Sequence, residues 1–155
     1  MPSMLLKWLE SFDTAPNSEL LTSIPMDNNQ HVLQALEIGP LMAGDRCIIH
    51  GYQQLTNNNT KDAWCGYGIV LSTTPDLTGR FLTVTPPSGT NITNTDAIHH
   101  YTQGRSRGVT IASAQPVAYA LLVATGASSY LPTTATFKVD VGSGYISVDI
   151  FRSGP

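Results

Sequence analysis

The sequence predicts an all-β chain: a jelly-roll-like antiparallel β-sandwich preceded by an N-terminal arm with a short helix. Three observations carry this. About nine short apolar and β-branched runs follow one another from residue 31 onward. Clusters of Gly, Pro, Asn, Asp and Thr separate them at regular spacing. Helical periodicity is confined to the first 12 residues.

In the arm, Met4, Leu5, Trp8, Leu9 and Phe12 recur at spacings of three and four, which places them on one face of a short helix. Ala15-Pro16-Asn17-Ser18 ends it, because proline disfavours helical geometry in the residue before it. Residues 18–21 add a brief apolar touch, and Met26-Asp27-Asn28-Asn29 is a polar break. Residues 1–30 therefore read as an arm and residues 31–155 as the sandwich domain.

The strands are predicted at 31–38, 46–52, 64–72, 80–85, 97–101, 109–112, 117–125, 136–141 and 145–151. Phe137, Val139 and Val141 alternate with Lys138 and Asp140, and Ile146, Val148 and Ile150 alternate with Ser147 and Asp149. That is the pattern of a strand with one buried face. Gly142-Ser143-Gly144 between these two runs predicts a tight hairpin. The run 117–125 is almost continuously apolar, as expected of a central strand covered on both faces. Asn57-Asn58-Asn59, Thr73-Thr74-Pro75-Asp76, Pro86-Pro87-Ser88-Gly89 and Tyr130-Leu131-Pro132 are expected turns and loops. Proline fixes φ there, glycine allows positive φ, and Asn or Asp side chains bond the local backbone.

Composition narrows the function. Charged residues make up 12% of the 155 residues, against about 25% in an average soluble domain. The apolar share is an ordinary 41%, and 8 Lys+Arg stand against 11 Asp+Glu, for a net charge of −3. Nucleic-acid binding needs clustered positive charge, so no nucleic-acid partner is expected. A membrane span needs about 18 apolar residues in a row, and the run 117–124 is far shorter, so no membrane partner is expected. The N-terminus lacks the charged, apolar, small-residue succession of a signal peptide. Cys47 and Cys65 both sit in strand-like runs and read as buried thiols, with a bond between adjacent strands left open.

Catalytic patterns are weak. His99 and His100 are adjacent, and neighbours on a strand point to opposite faces, so they make a poor metal pair. The short Cys-x₂-Cys knuckles of structural zinc are missing. Gly126-Ala127-Ser128-Ser129 lacks the second glycine of a hydrolase elbow. Gly104-Arg105-Ser106-Arg107-Gly108 lacks the length and the Lys-Ser/Thr of a phosphate-binding loop. A two-carboxylate mechanism would have to draw on Asp45, Asp62, Asp76 or Asp96 from loops. We expect no enzyme, no cofactor and no metal. Two surfaces remain. The apolar face of Met4, Leu5, Trp8, Leu9 and Phe12 must dock on something, since so short a helix is unstable alone. His99, His100, Tyr101, Arg105 and Arg107 form the second, and residue types of this kind are favoured at subunit contacts.

Several stretches together carry a resemblance. They are Leu41-Met42-Ala43-Gly44-Asp45-Arg46, then Asn91-Ile92-Thr93 before His99-His100 and Arg105. The apolar run 117–124 leading to Ala127-Ser128-Ser129 follows, then Phe137-Lys138-Val139-Asp140 and Gly144-Tyr145-Ile146-Ser147-Val148. In these the chain resembles head decoration (cement) proteins of tailed bacteriophages with a jelly-roll body. The closing Gly-Tyr-x-Ser-Val also looks like the last strands of trimeric tumour-necrosis-factor and C1q-like jelly rolls. The resemblance implies a non-enzymatic virion protein on the capsid exterior, made in the host cytoplasm. It would clamp neighbouring major capsid proteins and associate with itself, as a trimer in preference to a dimer. The alternative is a phage fibre or tail-tip module that binds a cell-surface glycan through Trp64, Tyr67, Tyr101 and Arg105. A small jelly-roll enzyme is the third reading.

Overall fold

The computed structural model describes residues 3–13, 23–25, 27–56, 63–92, 101–127 and 138–153. Among these it is an all-β chain of nine strands. They are β1 (Ser3–Asp13), β2 (Ser23–Pro25), β3 (Gln30–Glu37), β4 (Arg46–Thr56), β5 (Ala63–Ser72), β6 (Arg80–Ile92), β7 (Tyr101–Thr110), β8 (Tyr119–Ala127) and β9 (Lys138–Ser153). One sheet has the order β1-β9-β4-β7 with β2 beside β9, and the other has the order β3-β8-β5-β6. All pairs are antiparallel. The pairing is nested: β5 with β6, β4 with β7, β3 with β8, β1 with β9. A long hairpin wound around itself gives this order, which is the double-sheet jelly roll the sequence predicts.

The core lies between the sheets and follows from alternation. Cys47, Ile49, Ile146, Val148 and Ile150 come from one sheet; Ile69, Leu71, Ala120 and Leu122 come from the other, all buried. Each large aliphatic side chain removed from water contributes about 1.5–3 kcal/mol. Gly51 lies at a close approach of the sheets: a Cβ there would stand 2.9 Å from Leu122 Cδ1. Strand β8 buries its other face too, with Leu121 and Val123 against Val70, Val32 and Tyr119. That second cluster explains why its sequence is apolar without interruption. Cys47 on β4 and Cys65 on β5 are buried free thiols in different sheets. Burial pushes their pKa values up to about 11 and about 12, with the Asp45 charge adding to the rise at Cys47.

The β5–β6 hairpin turns where Thr73-Thr74-Pro75-Asp76 predicts it. Asp76 Oδ1 accepts the Thr78 N–H at 2.9 Å and the Thr74 hydroxyl at 2.7 Å, capping a 3₁₀ turn over Leu77–Gly79. These hydroxyl and backbone donors hold the Asp76 carboxyl below its ordinary value.

Three expectations are corrected. The helix expected over residues 4–12 is strand β1, paired with β9. A register shift between Leu5 and Lys7 accounts for the misleading spacing. It sets Leu5, Trp8 and Phe12 opposite Phe151, Asp149 and Tyr145, which share one face of β9. The hairpin expected at Gly142-Ser143-Gly144 is a bulge within one 16-residue strand, because residues on both sides keep pairing with β4: Gln53 with Gly144, Leu55 with Val141. Pro86 and Pro87 likewise sit inside β6. That strand is at a sheet edge, and its register slips by one residue between Ser88 and Thr85. Proline is tolerated at edges and bulges since no ladder donor is lost there. Thr85 Oγ1 accepts the Ile69 N–H at 2.9 Å, replacing a backbone partner at the slip. The predicted run 109–112 is the tail of β7 and the residues just after it, and 97–100 lies outside the described residues.

Candidate interaction surface

Antiparallel winding brings the starts of β1, β4, β6 and β8 and the ends of β3, β5, β7 and β9 to one end of the sandwich. The segment between β3 and β4 closes this end around Asp45. Asp45 N–H donates to the Met42 carbonyl at 3.1 Å, and Gly44 supplies the positive φ of 89° that the turn requires. Asp45 Oδ2 accepts the Met42 N–H at 2.8 Å. The Ile111 N–H donates to the Asp45 carbonyl at 2.8 Å, tying the turn to the end of β7.

From the last turn of β9, Arg152 reaches the same carboxylate with two parallel bonds, Nε to Oδ1 at 2.7 Å and Nη2 to Oδ2 at 2.8 Å. This forked geometry is the strong form of a charge-assisted bond. Asp45 is fully buried and Arg152 is partly exposed. The Arg152 guanidinium, outweighing the effect of burial, holds the Asp45 carboxyl below its ordinary range. A second, looser pair joins His31 Nε2 to both Asp27 oxygens at 2.9 Å, near the opposite end. Burial opposes ionisation of Asp27, but the bonds from His31 and Asn29 prevail and its pKa is lowered.

Large apolar side chains gather around the Asp45–Arg152 pair. Met4, Leu5, Leu6, Met42 and Val117 are between 38% and 62% exposed, and they are the exposed large hydrophobics among the described residues. All five belong to this end. Met4 is the register partner of Arg152, Arg152 grips Asp45, and Asp45 holds Met42. Val117 adjoins the same segment, since Gly39 N–H donates to the Ala118 carbonyl at 3.0 Å. Single exposed leucines are ordinary; a gathering at one place marks an interaction surface.

The flank beside this end adds a groove. β6 and β7 end their sheets on the same side of the sandwich. Between them Phe81, Leu82, Thr110, Ile111, Ala112, Ser113 and Gln115 line a cavity of about 280 Å³.

The structure places the residues predicted from sequence unevenly. Met4 and Leu5 are exposed on β1, while for Trp8, Leu9 and Phe12 only the strand position is described. Tyr101, Arg105 and Arg107 share strand β7, opposite Leu55, Gly51 and Ile49, and Arg107 is exposed. His99 and His100 lie outside the described residues. The glycan platform through Tyr67 is not available, because Tyr67 is only 2% exposed. Its hydroxyl is buried with no hydrogen-bond partner among the described residues. Trp64 is half-buried and lies against its own strand, its Cη2 2.6 Å from where a Gly66 Cβ would be. Among the described residues no three His, Cys, Asp or Glu side chains converge as metal ligands.

Sequence reasoning missed Leu6, Met42 and Val117, and gave Asp45 only a loop position. It also missed Tyr52 and Tyr145, which stack across β4 and β9 with ring centroids 5.5 Å apart. The turn Ala43-Gly44-Asp45 was the one readable signal for the pair's position.

No family model matches the chain, and comparison with curated proteins finds no match. Solved structures do match. A chain of the infectious bursal disease virus VP2 subviral particle superposes with a TM-score of 0.62 at 15% identity, over 94% of this chain and 33% of that one. A second structure, of the infectious bursal disease virus Gx strain, gives 0.55 at 10% identity, over 96% of this chain and 38% of that one. The chain thus spans about a third of the length of the solved chains it matches. At these identities the likeness is one of fold.

Proposed function

We propose that this chain is a non-enzymatic structural protein of a virus particle. Its apolar end packs against capsid subunits. The observation that carries the reading is the gathering of Met4, Leu5, Leu6, Met42 and Val117 at one end of a weakly charged sandwich. The fold it shares with a chain of a viral particle supports it.

In its finer form, the chain is a decoration protein on the capsid exterior, of the cement type known from tailed bacteriophages. It clamps neighbouring major capsid proteins and associates with itself, as a trimer. Leu5, Trp8 and Phe12, at positions of one face of β1, supply the partner-binding strip, and Tyr101, Arg105 and Arg107 on β7, with His99 and His100, supply the subunit contact. Burying a few hundred Å² of apolar surface at about 25 cal/mol per Å² yields several kcal/mol before ordering costs. Repetition over a lattice multiplies that through avidity. With so few charges at the contact, binding depends weakly on salt.

The test is cosedimentation of the full chain with empty capsids of the virus that encodes it, at low and high salt. Saturable binding at a fixed ratio, little changed by salt and lost in Leu5→Glu with Met42→Glu, is expected. A chain that stays in the supernatant at every concentration rules the reading out.

A further inference from the structure

We propose that copies of this chain join head to tail, with edge strand β1 of one copy adding to edge strand β7 of the next. The inference deepens the self-association in the reading above and is tested apart from capsid binding; in it Met4 and Leu5 serve the contact between copies in place of the shell, and Leu6, Met42 and Val117 are left to face the capsid.

β1 and β7 are the two ends of the same sheet. Each ends a ladder and carries backbone groups with no strand beside them among the described residues, which is a template for another strand. Their lengths match, at 11 and 10 residues. Their directions match as well. Neighbours in β1-β9-β4-β7 run antiparallel, so β1 and β7 run opposite ways. A translated copy therefore brings its β1 antiparallel to β7 without any rotation.

The chemistry of the two edges is complementary. β7 carries Arg105 and Arg107 and no acid, whereas β1 carries Glu10 and Asp13 against the single base Lys7. Pairing with Lys7 opposite Val109 aligns β1 along β7, and the two strands then meet with net charges of opposite sign. The same register carries the exposed Met4 and Leu5 past the end of β7. There the groove of Phe81, Leu82, Ile111 and Ala112 opens. An apolar tract and an apolar groove thus lie at the same end but on opposite flanks of one molecule. A contact of this kind is heterologous, and it closes into a ring or continues as a lattice according to its twist. The other long edge on the groove side, β6, is interrupted by Pro86 and Pro87, which leaves β7 as the strand free to extend.

The test uses the full chain with single cysteines at exposed positions. The proposed register carries Met4 of one copy past the end of β7, beside Ile111 and Ala112 of the next. Met4→Cys and Ala112→Cys are prepared separately, mixed and mildly oxidised; the native thiols are buried. The mixture is expected to yield a disulfide-linked dimer of one variant with the other, well above the self-linked dimer of either variant alone. Charge reversal provides the second arm, read by sedimentation velocity. Reversing the net charge of β1 with Glu10→Arg and Asp13→Arg is expected to shift the oligomer to monomer, and adding Arg105→Glu with Arg107→Glu to restore it. A wild-type chain that is monomeric at all concentrations overturns the proposal. So does linking that is no greater in the mixture than in the separate variants. Either outcome leaves capsid binding, measured by cosedimentation, as it was.

Discussion

Asp45→Asn tests whether the apolar end is rigidly built. The substitution keeps the shape of the side chain but removes its charge and one of its two acceptors. Wild-type Asp45 accepts the Arg152 fork at 2.7 and 2.8 Å and the Met42 N–H at 2.8 Å, from a fully buried position. A hydrogen bond to a charged group contributes about 1.5–3 kcal/mol. Removing one partner of a fully buried pair costs about 3–5 kcal/mol. Arg152 is 37% exposed and regains water when its partner is lost, which puts the expected cost below that range. We expect about 2 kcal/mol, or a Tm lower by about 4–8 °C for a chain of this size.

The effect has a pH signature. The folded carboxyl titrates below its ordinary value of 3.8, so its contribution is complete above that value and is lost as pH falls through the lower folded value. Urea unfolding, followed by tryptophan fluorescence in steps from about pH 7 to about pH 3, gives the free energies of both proteins. The gap should be widest near neutrality and begin to narrow as pH falls below 3.8. A neutral-pH difference below about 0.5 kcal/mol, the size of an ordinary surface substitution, would refute the reasoning. So would a gap that does not narrow with acid.

Other expectations follow from the packing. Gly51→Val places methyl carbons against Leu122, so it should lower the urea midpoint by an amount equivalent to about 1–3 kcal/mol; an unchanged midpoint contradicts the close sheet contact. Leu122→Ala empties the centre of the core and should cost about 2–5 kcal/mol in the same assay. Cys47 and Cys65, buried and with raised pKa values, should resist a thiol reagent in the native chain and react fully after denaturation. Met42→Glu should leave unfolding free energy within about 0.5 kcal/mol of wild type, since the side chain is exposed, and yet reduce capsid cosedimentation.

Strands whose pattern is set by burial alone were legible in the sequence. Ile146, Val148 and Ile150 alternate because one face meets the opposite sheet, and β8 is unbroken because both its faces are covered. Local chemistry was also legible: Asp76 was a turn residue in the sequence and caps a turn in the fold. What failed were patterns that local rules share with another structure. The spacing of Leu5 and Trp8 fits a helix, and it fits equally a strand with one bulge. Gly142-Ser143-Gly144 suits a hairpin, and it suits a bulge when the strand beyond it finds partners on β4. In each case the deciding partner lies far along the chain. The same distance hid the interaction surface. Asp45 and Arg152 are 107 residues apart, and nothing near Met42 in sequence reveals that it lies at the same end of the sandwich as Met4.

The central claim is that the apolar end holds this chain on a capsid. Cryo-electron microscopy of empty capsids incubated with the full chain tests it most directly. Ordered sandwich-shaped density is expected on the outer surface, touching two neighbouring major capsid proteins, with the end that carries Met4, Met42 and Val117 turned toward the shell. Capsids that show no added density at saturating chain, or density bound through the opposite end of the sandwich, contradict it.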